Sequence, residues 1–188
     1  MVRSIVFIDG SNFYHKLKQA SFSLGGKHAL LEFEYTRFSS WLACDTECVE
    51  TRYYIGAIKR SNGSSKTEEL YAGQQKLFAK LQLHGVKLIL GHLIRHPDGT
   101  IHEKGVDVRL AVEMIRLARA NAYDRAYVLS SDTDLVAAVE EVRSLGKEVH
   151  YVGFSKGQSF GLTKASNDVR LLRAEDLVQF LPQTPLPE

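Results

Sequence analysis

Apolar residues along this chain fall into short continuous runs, and the stretches between those runs repeat apolar residues every three or four positions. The runs Val2 to Ile8, Val49 to Ile58, Val86 to Ile94, Arg125 to Ser130 and Glu148 to Gly153 read as strands covered on both faces. Helical spacing predicts helices over Ser11 to Ala20, Tyr35 to Ala43, a stretch ending at Leu83, Val106 to Ala120, and Leu135 to Leu145. Gly85 and Gly146 are placed to end two of them. Strands alternating with helices predict βαβ units, hence an α/β fold on a mostly parallel sheet of roughly five strands.

The remaining segments carry turn chemistry. Ser21 to Leu31 contains Gly25 and Gly26 and reads as a loop, and Lys59 to Lys66 as a flexible basic loop. Pro97, Asp98 and Gly99 form a turn that folds Thr100 to Glu103 back as a short hairpin. Gln158 to Ala165 and Ala174 to Phe180 read as short helices around a brief strand or turn at Val169 to Leu172. One domain over residues 1–181 is expected, followed by a disordered Pro-rich tail over 182–188.

Composition adds limits rather than detail. At 188 residues and 44% hydrophobic content the chain can bury one substantial core, and no shift in composition divides it. Its apolar runs are far shorter than the roughly 20 residues that span a bilayer, and the N-terminus lacks the apolar core of a signal peptide. A soluble, cytoplasmic protein with no membrane partner is expected. Cys44 and Cys48 lack a CxxC or paired-histidine context, so two reduced, partly buried thiols are expected rather than a zinc site. His92, His96 and His102 fit no helical metal pair and are expected at the surface or sheet edge. A net charge of +2, from 24 basic and 22 acidic residues, neither announces nor excludes a nucleic-acid partner.

Candidate chemistry lies in acids that such a sheet gathers. Asp9 and Asp132 each follow a buried run and precede a helix, at the strand ends where open α/β sheets bind ligands. Asp107 opens its helix on the row of Leu110, Ala111, Met114 and Ala118, so it shares the apolar face. Each acid has a local explanation. Asp107 in a first turn suits the helix dipole, SSDTD suits capping at Asp132 and Asp134, and Asp9 before Gly10 suits a turn. Separate local roles give no reason for all of them to share one crevice. Carboxylates about 4 Å apart repel by about 4 kcal/mol at an effective dielectric near 20, which a divalent cation offsets. Oxygen ligands without thiolates favour Mg²⁺ or Mn²⁺, and such a site suits metal-assisted phosphodiester hydrolysis.

FIDGSN, KGVDVRLAVEM and VLSSDTDLVAAVEEVRSLGKEV, in that order, resemble the motif blocks of the NYN domain family, the LabA-like branch of the PIN-like ribonucleases. The resemblance implies a PIN-like three-layer α/β/α sandwich and an endoribonuclease that leaves a 5′-phosphate. It also implies that Asp9, Asp107, Asp132 and Asp134 bind Mg²⁺ or Mn²⁺ for RNA cleavage. Asn12 matches the family's asparagine beside the first acid, where it either orients a carboxylate or phosphate or caps the helix. Ser11, Ser130, Ser131 and Thr133 are candidates to hydrogen-bond the acids, or to serve the turn locally.

Lys59, Arg60, Lys66 and Lys104 are candidate RNA contacts, each also readable as a solvated surface cation, and Phe13 or Tyr14 offers a ring for base stacking or for the core. A non-catalytic RNA-binding or regulatory protein that keeps the acidic pocket is the alternative function. A phosphoacceptor domain would need an acceptor aspartate at the third strand end, where only Asp98, beyond a turn, is available.

Overall fold

The computed structural model describes residues 1–23, 29–58, 65–95 and 101–181. Strands β1 (Arg3–Asp9), β2 (Glu47–Ala57), β3 (Lys87–Arg95), β4 (Ile101–Lys104), β5 (Arg125–Leu129), β6 (Glu148–Phe154) and β7 (Asp168–Leu172) form one sheet in the order β4-β3-β2-β1-β5-β6-β7. All neighbours run parallel except β4, which returns antiparallel along β3. The sheet therefore has seven strands where sequence reading expects about five. The additions are its two edges: the Thr100 to Glu103 hairpin arm pairs as β4, and the brief segment at Val169 to Leu172 pairs as β7 on β6.

Strand alternation sorts side chains onto two faces and makes a three-layer α/β/α sandwich. On one face Val6, Ile8, Tyr53, Tyr127, Leu129 and Val152 meet helices α1 (Gly10–Ser23), α2 (Ala29–Glu32), α3 (Tyr35–Leu42), α4 (Ser65–Leu83) and, once α8 (Ala174–Val178) is added, the C-terminal Leu177 and Phe180. Phe13, Phe33, Tyr35 and Phe38 form an aromatic cluster there, with ring centroids 5.1–6.1 Å apart. On the other face Ile5, Phe7, Ala126, Val128, Val149 and Tyr151 meet α5 (Val106–Arg119), α6 (Val136–Ser144) and α7 (Phe160–Ala165). Leu110, Met114 and Ala118 are buried, as the face shared with Asp107 implies.

The chain builds β1, β2 and β3 outward on one side, then crosses through α5 to build β5, β6 and β7 outward on the other. The carboxyl ends of β1 and β5 are thus the topological switch point, where open parallel sheets form a crevice. The α1 helix extends past its expected end, and α2 occupies part of the segment read as a loop. Lys66 belongs to α4, which starts at Ser65, rather than to the preceding loop. Lys59, Arg60, the Pro97-Asp98-Gly99 turn, His96 and the 182–188 tail lie outside the described residues, as do the side chains of Lys66, His92 and His102. Both cysteines are free, with Cys48 partly buried but Cys44 exposed, since it falls in the turn between α3 and β2. Among the described residues no helix is long and apolar enough to cross a membrane.

Candidate active site

At the switch point Asp9, Ser11, Asn12, His15, Asp107, Ser131 and Asp132 line a cavity of about 370 Å³. Local chemistry puts each acid there. Asp9 ends β1, 5% exposed, and its Oδ1 accepts the Asn12 backbone N–H at 3.0 Å, so Asp9 itself, rather than Asn12, caps α1. Gly10 is required by packing, because a Cβ there would lie 2.6 Å from the Tyr54 carbonyl oxygen and against the Tyr53 ring. The Tyr53 hydroxyl in turn donates to the Gly10 carbonyl at 3.2 Å, holding the start of α1 against β2.

Asp132 sits just beyond β5. Since Ile8 pairs with Leu129, the next residues Asp9 and Ser130 stand side by side, and the buried Ser130 hydroxyl donates to Asp9 Oδ2 at 2.7 Å. The same hydroxyl accepts the Asp132 backbone N–H at 3.1 Å, so one serine ties both acids together. Asp132 Oδ1 accepts the Asp134 N–H at 2.9 Å and caps a 3-10 turn, Thr133–Leu135, that leads into α6. Capping and cavity lining therefore coexist in Asp9 and Asp132 and are not competing roles. Ser131 Oγ lies 3.3 Å from Asn12 Oδ1 and donates to it, joining the β5 turn to α1.

Asp107 arrives from the opposite helical layer. A close approach of the β4–α5 junction to β3 makes this possible, because at Gly91 a Cβ would meet the Val106 side chain and lie 3.2 Å from the Lys104 carbonyl oxygen. Gly105, in the left-handed region at φ 80°, turns the chain into α5, and no side chain caps that helix. Burial raises the Asp107 carboxyl above the usual carboxylate range, and the charges of Asp9, Asp132 and Asp134 raise it further. The ionised form of Asp107 is thus disfavoured by its three acidic neighbours.

The four acids do not close into a single tight cluster. Asp134 is exposed and does not line the cavity, because the 3-10 turn carries it to the rim, where it acts on Asp107 only as the weakest of the three charges. Thr133 is likewise exposed and outside the lining. Among the described residues no three acidic, histidine or cysteine side chains are drawn together as a ready-made metal site. Lys104 is exposed three positions before Asp107. Phe13 is wholly buried in the aromatic cluster, whereas Tyr14 faces a second cavity. His15, which sequence reading passed over, lines the acid cavity one helical turn beyond Ser11.

The NYN domain profile matches residues 3–173, from β1 through β7. The chain belongs to the NYN domain family. NYN domains have a PIN-like nuclease fold, and nucleases of that kind typically use divalent metals. The fold of this NYN domain is also similar to the crystal structure of a protein of unknown function, VPA0982, from Vibrio parahaemolyticus RIMD 2210633. That similarity has a TM-score of 0.61 at 19% identity and covers 92% of this chain and 93% of the other. No curated protein matches the chain.

Proposed function

We propose that this NYN domain is an endoribonuclease that hydrolyses RNA phosphodiester bonds with Mg²⁺ or Mn²⁺ held by Asp9, Asp107 and Asp132. The observation that carries this reading is that three carboxylates from separate elements line one cavity at the switch point, with the negative charges of Asp9, Asp132 and Asp134 all acting on Asp107. Their donor set is all oxygen, which fits a hard cation bound through a few carboxylates and retained waters. An ion held there would supply charge neutralisation at the phosphoryl oxygens and activation of a water.

The remaining roles belong to the chain. Ser130 fixes the orientation of Asp9 and the position of Asp132 through its single hydroxyl. Asn12 holds Asp9 through its backbone N–H and is itself held by Ser131. Asp134 adds negative charge at the rim, and Ser11 and His15 line the approach to the acids. Lys104, exposed three positions before Asp107, and Lys59, Arg60 and Lys66 are candidates to meet phosphates of the RNA backbone.

The test is cleavage of a mixed RNA pool in Mg²⁺, in Mn²⁺ and in chelator, run beside Asp132→Asn. Cleavage that needs metal and is lost in the variant is expected, and equal cleavage by the variant overturns the assignment. The separation of the acids favours one second reading, an RNA-binding regulator without turnover. Tight, salt-sensitive RNA binding with no cleavage in Mn²⁺ would establish it.

A further inference from the structure

Beside the acid cavity lies a second and more apolar one, of about 410 Å³, between α1, the carboxyl end of β2 and α4. Ser11 and His15 line both cavities, so the two share a wall. We propose that this second cavity receives one unpaired nucleobase of the RNA strand whose phosphate lies at the acids, an inference that rests on the ribonuclease reading above.

Its lining suits a flat, mostly apolar group. Tyr14 stands on α1 with its ring edge-on to His15 at 5.3 Å, and Ile55, Ile58 and Leu77 supply apolar surface opposite. The volume falls in the roughly 300–1,000 Å³ range of small-ligand pockets. Unstacked bases of single-stranded RNA are held by aromatic and apolar faces of this kind. Part of the wall is also held by hydrogen bonds. Gln74 donates to the Gly56 carbonyl at 2.8 Å and accepts from the Ile58 N–H at 2.8 Å, so its amide is held by the end of β2 and the residue just after it.

Gly73 gives an independent indication. It lies in the interior of α4, where glycine is among the least favourable residues, yet a Cβ built on it meets nothing within 4 Å. No packing demand accounts for the glycine, which is exposed and lines the cavity. Leu70, one turn earlier, is left 54% exposed at the same opening. An apolar rim and an empty helical position together describe a cavity kept open for an occupant.

The experiment uses the full chain and a fluorescent single-stranded oligoribonucleotide, together with a set in which each nucleotide in turn is abasic. Binding is measured without divalent metal and cleavage is measured in Mn²⁺. Gly73→Phe, which fills the cavity, is expected to weaken binding by roughly 5- to 150-fold, the range of one lost base stack. It should also erase the difference between the intact strand and the one abasic strand that binds poorly to wild type. Gly73→Ala, which adds only a methyl group, should weaken binding less than Gly73→Phe and melt higher. Tyr14→Leu serves as a second probe should Gly73→Phe fail to fold, with the same loss expected.

Wild-type affinity in both Gly73→Phe and Tyr14→Leu, a flat abasic series, or no oligonucleotide binding by wild type overturns the proposal. So does displacement of the effect by an apolar peptide or a second copy of the chain, either of which would name a different occupant. Metal-dependent cleavage with a flat abasic series removes the base pocket and leaves the nuclease. Binding that responds to both variants without any cleavage removes turnover and leaves the pocket.

Discussion

The two edges of the sheet treat their acids in opposite ways. At the amino edge four acids meet arginines: Asp124 pairs with Arg3 at 3.0 Å, Glu148 with Arg125 at 2.6 Å, Asp45 also with Arg125, and Glu50 with Arg52 at 2.9 Å. Arg3 holds the Asp124 carboxyl down at about 2. At the carboxyl edge Asp107 is pushed the other way by burial and by three further acids. Neutralised charge serves the fold, while gathered like charge is an energetic cost that a binding site accepts in exchange for its ligand.

The largest expected effect comes from the carboxyl edge. Asp9→Asn or Asp132→Asn should lower metal-dependent RNA cleavage by more than about 100-fold while leaving the melting midpoint in chelator at or above wild type. Ser130→Ala should lower cleavage by about 10- to 100-fold, because Asp9 and Asp132 both lose the hydroxyl that orients them. A Ser130→Ala variant with full activity would show that the two acids keep their positions without it.

Amino-edge changes should leave cleavage untouched. Asp124→Asn should reduce stability to urea near neutral pH, with kcat and KM for RNA unchanged. Because the folded pKa of Asp124 is depressed, its contribution is present above the unfolded value near about 4 and is lost as pH falls through about 2. The difference in urea midpoint between wild type and Asp124→Asn should therefore shrink over that interval. A difference that persists below it would assign the stability to something other than the Arg3 pair. The smallest effect is expected at Asp134, where rim exposure limits the loss on Asp134→Asn to less than that of Asp9→Asn. Equal losses would place Asp134 among the metal ligands.

The central fold was legible because its strands are continuous apolar runs buried on both faces, as in β1, where six of seven residues are buried. The edge strands were harder to read. β7 shows only one buried residue, so periodicity cannot separate it from a turn, and β4 depends on its pairing with β3. The acid edge was legible from topology, since Asp9 and Asp132 each follow a run that becomes a strand. What topology does not carry is the direction of a side chain. The short 3-10 turn separates Asp134 from Asp132, and the three-dimensional fold makes one a cavity residue and the other a rim residue. His15 escaped notice because on a helix it reads as a polar surface position, and its one signal is the four-residue step from Ser11.

The central claim, that Asp9, Asp107 and Asp132 form a cation site, is tested most directly by thermal melting with and without millimolar Mn²⁺. A ligand at about 100 times its Kd stabilises the folded form by about 2.7 kcal/mol, so the wild-type midpoint should rise by roughly 5–10 °C. The Asp9→Asn, Asp132→Asn double variant should show no rise. No shift in wild type, or an equal shift in the double variant, would contradict the account.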